Sequence, residues 1–291
     1  LNNNDYSYFI GETVDIGCTA IDDVDGPVNC TYSGTIDTST VGDYDITYSA
    51  TDSSNNTATL IQTYTVTNDY LSMDLMTYYD DAEGLEGTAL ELALRTIINN
   101  GFSGVSYGDT RYYLDDTDAD QNNSSNVILV YQQTSVSGVW DGGITWNREH
   151  VWPQSLLGVS VDNNDINVGS DLHNLKPADP GENSSRSNKY FDNVTSTVAY
   201  EPPDEVKGDI ARILFYMIVM YDYLDLVDGT PGIYEMGQLQ TLLSWHDLDP
   251  VDDFERDRNE AIYGIQGNRN PFIDYEHFVE LIFGSESYYN N

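Results

Sequence analysis

The period of the apolar residues changes near Asn68, and that change limits the chain to two structural regimes. Before it, alternation in Tyr44-Asp45-Ile46-Thr47-Tyr48-Ser49-Ala50 and in Thr59-Leu60-Ile61-Gln62-Thr63-Tyr64-Thr65-Val66 fits strands covered on one face. Turn signals at Asp25-Gly26-Pro27, Ser33-Gly34, Val41-Gly42-Asp43 and Ser53-Ser54-Asn55-Asn56 cut residues 8–67 into short strands, the pattern of a small β-sandwich. Beyond a linker near Asn68-Asp69 the period becomes helical. Glu86 to Asn99 sets Leu90, Ala93, Leu94, Ile97 and Ile98 on one face. Asn126 to Gln132 reads as a short apolar strand. Asp209 to Leu226 reads as a strongly apolar helix at the centre of the core. Tyr234 to Trp245, Asp252 to Tyr263 and Tyr275 to Phe283 read as further helices. The expected class is α+β: an all-β domain over 1–68, then a mostly helical domain over 69–291.

Charge narrows the choice of partners. The chain has 49 acidic and 11 basic residues, a net charge of −38, which on its own argues against nucleic acid. The distribution reverses that argument. The segment before Asn68 has ten acids and no Lys or Arg, and four of the 11 cations (Arg148, Lys176, Arg186 and Lys189) fall in one stretch. The other acids read as a hydrated surface suited to high salt or a cold or marine setting. Chain length allows a sizeable core, and the 23 Tyr argue against wholesale disorder. The most apolar window, Ile210 to Met220, is too short to span a bilayer and contains Arg212, so no membrane span is expected. No positively charged leader precedes an apolar core at Leu1, so any secretion signal is expected to have been removed or to lie outside this sequence. Cys18 and Cys30 read as a disulfide in an extracellular protein, with two buried thiols as the alternative.

Chemistry concentrates in Trp146-Asn147-Arg148-Glu149-His150-Val151-Trp152-Pro153. A second cluster follows: Asp171-Leu172-His173-Asn174-Leu175-Lys176-Pro177, then Asn183, Arg186 and Asn188. Hydrolysing a phosphodiester needs an activated water, a cation on the phosphorus oxygens and help for the leaving 3′ oxygen. An imidazole suits the first task and a hard divalent ion with oxygen ligands suits the others. On a strand, adjacent Glu149 and His150 point to opposite faces, so one site can use both only where the chain bends.

These motifs resemble the bacterial endonuclease I family of secreted, sugar-non-specific nucleases of the ββα-metal (His-Me) finger type. The resemblance continues through Lys207-Gly208-Asp209-Ile210-Ala211-Arg212 with Phe215-Tyr216-Met217, and through Gln266-Gly267-Asn268-Arg269-Asn270-Pro271-Phe272-Ile273-Asp274. It covers roughly residues 72–283. It implies that His150 is the general base, that Glu149 and Asn183 hold one Mg²⁺ (or Ca²⁺ or Mn²⁺), and that Asn174 orients the imidazole. Arg186 and Arg148 are implied to hold the scissile or product phosphate, with Lys176 and Lys189 among the few other cations in reach. DNA and RNA are the implied substrates, cut to 5′-phosphate ends. Two departures stand out: few lysines, and Tyr275-Glu276-His277 where the family often has His-Pro. Separately, Gly42 to Asp52 with Asn55-Asn56-Thr57-Ala58 resembles bacterial immunoglobulin-like repeats, which implies an accessory module whose ligand is unknown.

The resulting expectation is a secreted or cell-surface, monomeric, metal-dependent, non-specific endonuclease. The alternative is a non-catalytic acidic calcium-binding or adhesion surface protein on a degenerate nuclease fold; a ribonuclease with little action on DNA is a third reading. His173 is expected to brace the two strands of the finger, and His246 and His277 to pack. Arg212 is expected in a buried ion pair and Arg269 in a loop clamp. Asp116, Asp118 and Asp120 alternate like the start of a calcium loop but lack the Gly and terminal Glu of an EF-hand, so a solvated loop is expected; Asp22, Asp23 and Asp25 read the same way.

Overall fold

The computed structural model describes residues 7–9, 14, 16–23, 25–40, 42–67, 75 and 77–284. The chain divides into two compact units, Leu1–Tyr78 and Tyr79–Asn291. The expected linker at Asn68-Asp69 lies outside the described residues.

In the first unit β1 (Ser7–Phe9), β2 (Ala20–Asp22), β3 (Gly26–Ser33), β4 (Gly42–Thr51) and β5 (Thr57–Thr67) form one sheet in the order β1-β5-β4-β3-β2. β1 runs parallel to β5 and the other pairs are antiparallel. The alternation seen in sequence buries Ile46 on β4 and Tyr64 and Val66 on β5. Among the described residues of this unit the strands form one five-stranded sheet. Alternation marks a sheet with one covered face and carries no information on what covers it. Cys18 and Cys30 form the expected disulfide, with Cα atoms 5.6 Å apart. Closing so short a loop contributes about 3 kcal/mol in the chain-entropy model.

The second unit contains α1 (Gly87–Asn99), α2 (Tyr107–Thr110), α3 (Leu114–Thr117), a three-stranded sheet of β6 (Ala119–Asp120), β7 (Asn123–Ile128) and β8 (Ser135–Ser137), the two-stranded ribbon β9 (Asn147–His150) and β10 (Leu175–Ala178), α4 (Pro180–Arg186), α5 (Lys207–Met220), α6 (Leu239–Leu248), α7 (Asp253–Gln266), α8 (Pro271–Asp274) and α9 (Phe278–Phe283). Every residue of α5 is buried, as expected for the most apolar stretch. Its single Arg212 is satisfied internally by Glu255 of α7, at 2.7 and 2.6 Å. α1 buries Leu90, Leu94, Ile97 and Ile98 and docks on the end of α5 through Arg95, whose Nε donates to the Val219 carbonyl at 2.9 Å. Leu114, Val127, Leu129, Trp146, Leu172, Leu175 and Ile262 make one buried cluster at the ends of the β9–β10 ribbon. No helix among the described residues is long and apolar enough to cross a membrane.

Several element boundaries differ from the sequence pattern. The central helix stops at Met220 rather than Leu226, because Asp225–Val227 pairs as a strand with Glu235–Gly237. That pairing also removes the first turn and more of the helix expected from Tyr234, which starts at Leu239 instead. The strand expected over Asn126 to Gln132 runs from Asn123 to Ile128. Apolar spacing persists through these segments, and strand partners distant in sequence override it. α7 by contrast has local start and stop signals. The Asp252 carboxylate accepts from Glu255 N–H, and Gly267 at φ 78° ends the helix where a Cβ would meet the Gly101 carbonyl oxygen at 2.6 Å.

Candidate active site

The site is assembled on β9 and the two elements that follow it in space. β9 pairs antiparallel with β10, with Glu149 opposite Lys176 and His150 opposite Leu175. The chain then turns at Asp179 into α4. The Asp179 carboxylate accepts from the N–H groups of Gly181 and Glu182, and Pro180 fills the first helical position, so this short helix is fixed at its start. Asn183 and Arg186, one turn apart, both reach back to β9. Asn183 Nδ2 donates to Asn147 Oδ1 at 2.8 Å and to the Arg148 carbonyl at 3.4 Å. Arg186 Nη1 donates to the His150 carbonyl at 2.8 Å and lies 2.9 Å from Glu149 Oε1.

The strand divides its side chains as period two requires. Asn147 and Glu149 meet α4, while Arg148 and His150 meet the ring of Tyr107 on α2. Tyr107 stacks on the imidazole with ring centroids 5.4 Å apart and 23° between planes. The Arg148 guanidinium lies 3.7 Å from the centre of the same ring and donates to the Tyr107 carbonyl and to Thr110 Oγ1.

His150 Nε2 lies 2.8 Å from the Gly169 carbonyl oxygen. A carbonyl only accepts, so Nε2 carries the proton and Nδ1 presents its lone pair. The ring is 8 % exposed. Burial lowers its pKa to about 4 despite the Gly169 bond, so the imidazole is neutral at pH 7. Nδ1 is not sealed from solvent, whereas Nδ1 of the fully buried His173 is sealed and without a partner. Glu149 is also buried, and desolvation raises its pKa against the opposing pull of Arg186 and of the Tyr131 hydroxyl. Both partners use Oε1: Tyr131 donates at 2.5 Å and Arg186 lies at 2.9 Å. Glu149 Oε2 and Asn183 Oδ1 accept none of the described hydrogen bonds and neither is sealed. Two oxygen donors, one of them an anion whose desolvation a cation would offset, fit a hard divalent ion. No group of three or more His, Cys, Asp or Glu able to hold a metal occurs among the described residues.

A model of the Endonuclease I family matches residues 86–277, two-thirds of the chain and the whole of this site. The chain belongs to the endonuclease I family. It is therefore a nuclease, and nucleases of the endonuclease I family depend on a divalent metal. Residues 4–67 match a bacterial surface protein Ig-like domain. An extracellular ribonuclease of Bacillus amyloliquefaciens is 43% identical over 236 residues, covering 73% of this chain and 80% of that one. An extracellular ribonuclease of Bacillus subtilis (strain 168) is 42% identical over 234 residues, covering 72% and 79%. An extracellular deoxyribonuclease of Aeromonas hydrophila is 32% identical over 120 residues, covering 36% and 49%.

Within this endonuclease I chain, Glu149, His150, Asn183, Arg148 and Arg186 converge on β9, and Lys189 follows α4 with no ion pair among the described residues. Several expected roles change. Lys176 is 2 % exposed; its amine lies 3.1 Å from Asp118 and 3.8 Å from Asp209, a buried acidic nest and not a phosphate site. Asn174 does not touch the imidazole: its Oδ1 accepts from Trp152 N–H at 2.6 Å and its Nδ2 donates to the Trp152 carbonyl at 3.2 Å. Arg186 is fully buried against the His150 and Val151 carbonyls, Glu149 and the Phe191 ring, so it clamps β9 and has no surface for a phosphate. His173 packs against Tyr216 with the rings tilted and meets the Asn268 carbonyl, and so anchors the approach to β10 instead of bracing the two strands. Asp118 is no solvated loop residue, since it neutralises buried Lys176 and Arg258. Arg269 is the expected clamp, on Asp274 and Glu260. The sequence reading missed Tyr107, Tyr131 and Gly169, which carry no motif. It also missed Asn147, for which the i, i+2 spacing to Glu149 was a usable signal.

Proposed function

We propose that the chain is a secreted, metal-dependent, non-specific endonuclease that cuts DNA and RNA to 5′-phosphate and 3′-hydroxyl ends, built on a ββα-metal finger formed by β9, β10 and α4. One observation carries the reading: His150, next in sequence to Glu149, is a neutral base whose Nε2 is fixed by the Gly169 carbonyl and whose Nδ1 is not sealed from solvent. In this reading Nδ1 takes a proton from water as the water oxygen attacks phosphorus, and the bond to the 3′ oxygen breaks. Glu149 Oε2 and Asn183 Oδ1 hold one divalent ion, Mg²⁺, which when bound offsets charge developing on the phosphoryl and leaving oxygens. Tyr131 and Arg186 fix the Glu149 carboxylate for that purpose, and Arg148 and Lys189 hold phosphate. Contacts to phosphate carry no base information, in keeping with low sequence preference.

Plasmid DNA and a folded RNA, incubated with Mg²⁺ and then with EDTA, test the reading. Wild type should degrade both, EDTA should stop it, and His150→Ala should lower the rate by at least ~10²-fold with an unchanged circular dichroism spectrum. Full activity in His150→Ala, or in EDTA, would overturn the assignment. Two relatives bear the name ribonuclease, which favours a second form of the reading, in which RNA is the faster substrate. Rates on matched DNA and RNA strands separate the two forms.

A further inference from the structure

Eight of the chain's 11 cations sit within 4 Å of a carboxylate: Arg95, Lys176, Arg186, Lys207, Arg212, Arg256, Arg258 and Arg269. Among the described residues, Arg111, Arg148 and Lys189 have no such partner. In a chain with 49 acidic residues, acid partners are plentiful and leaving two guanidiniums unmatched in one place is conspicuous. Arg111 and Arg148 share α2. The Arg148 guanidinium donates to the Tyr107 carbonyl and to Thr110 Oγ1, and Arg111 is the next residue, capping the same helix. Arg111 lies over the Tyr112 ring at 4.8 Å, and its Nε is sealed without a partner while its Nη atoms are not. The head is therefore held by its stem, with its two terminal nitrogens open to solvent. Tyr107 presents its ring to both Arg148 and the His150 imidazole, so the same helix links the pair to the candidate base.

We propose that Arg111 and Arg148 form a phosphodiester-binding subsite beside His150, on the side of β9 away from Glu149 and Asn183, which takes a backbone phosphate flanking the scissile one. The proposal rests on the nuclease reading above for the identity of the anion. The subsite gives Arg111 a role in holding the strand, with no part in the chemical step. It extends the contact surface from the metal side of β9 to its Tyr107 side, so a bound strand crosses the ribbon.

Binding and cleavage are measured separately on the full chain. In EDTA, fluorescence anisotropy of a labelled 12-mer duplex across a NaCl series gives Kd and its salt slope. With Mg²⁺, kcat and KM are read on the same duplex and on a single-phosphodiester nitrophenyl ester. Arg111→Gln should weaken duplex binding about five-fold and reduce the slope of log Kd against log salt by about 0.9, one counterion contact. On the duplex it should raise KM with kcat nearly unchanged, leave the single-phosphodiester substrate unaffected, and be partly rescued in Arg111→Lys. Matching thermal midpoints of the two variants and wild type separate this from misfolding. Equal Kd and salt slope in wild type and Arg111→Gln would overturn the subsite. A wild type that binds with the expected Arg111 dependence yet never cuts would overturn the nuclease reading and leave the subsite standing.

Discussion

His150 and His173 are both buried with pKa values lowered to about 4, yet their surroundings give them different work. His150 keeps an open Nδ1, while His173 has a sealed one, so protonating His173 forces an unpaired charge into the core. Burial depresses the folded pKa of His173 below its unfolded value of 6.5. Between 6.5 and about 4 the unfolded chain binds the extra proton, so this contribution is complete above 6.5 and is lost as pH falls through that window. The unfolding free energy of wild type, read by urea denaturation, should therefore drop from pH 7 to pH 4.5, by at most about 1.4 kcal/mol per pH unit from this group. His173→Gln should flatten part of that dependence; an identical pH profile would count against the buried neutral ring. Lys176 makes a second test. Lys176→Met leaves Asp118 and Asp209 short of a cation and should cost of order 3 kcal/mol, read by urea denaturation. Duplex affinity of the folded variant should not change, and a weakened Kd would restore Lys176 to the substrate surface. The sequence marked His173 as structural without showing its partners, and it hid the role of Lys176, which sits in a motif that marks the site; only burial tells a ligand from a strut.

At the scale of elements, α4 controls the site through its first turn. Asp179 satisfies two N–H groups and Pro180 presets the backbone, and the helix they start carries Asn183 and Arg186 onto β9. Asp179→Ala should cost about 1 kcal/mol of stability. It should also raise the Mg²⁺ concentration for half-maximal cleavage several-fold, because Asn183 loses its fixed approach; an unchanged metal requirement would show that β9 alone positions the ion. The strand and helix of this assembly were legible through the family resemblance, whose Glu149-His150 and Asn183-x-x-Arg186 patterns fall on β9 and α4. The sequence concealed what holds them. Tyr131 reaches Glu149 across 18 positions, and the Gly169 carbonyl reaches His150 across 19. A main-chain acceptor has no residue-type signature, and a tyrosine among 23 stands out only once folded. The same limit moved the helix ends at Met220 and Leu239, where a strand pair distant from any local stop signal cuts the apolar pattern.

For the molecule as a whole, a net charge of −38 and the consumption of eight cations in internal ion pairs leave a field that repels nucleic acid except near Arg111, Arg148 and Lys189. Salt screens that repulsion within the protein as well as against its substrate. The thermal midpoint should rise by at least about 3 °C between roughly 0.05 and 1 M NaCl. A flat or falling midpoint in calorimetry would show that the acids are already compensated. The path of the main chain adds a vulnerability of another kind. The carbonyl that sets the His150 tautomer belongs to Gly169, and no substitution at that position deletes it. Removing or adding one residue between Gly158 and Gly169 would displace it while leaving Glu149, His150 and Asn183 intact in the gene. Such a variant would pass any motif scan as an enzyme and behave as a protein that grips nucleic acid without cutting it.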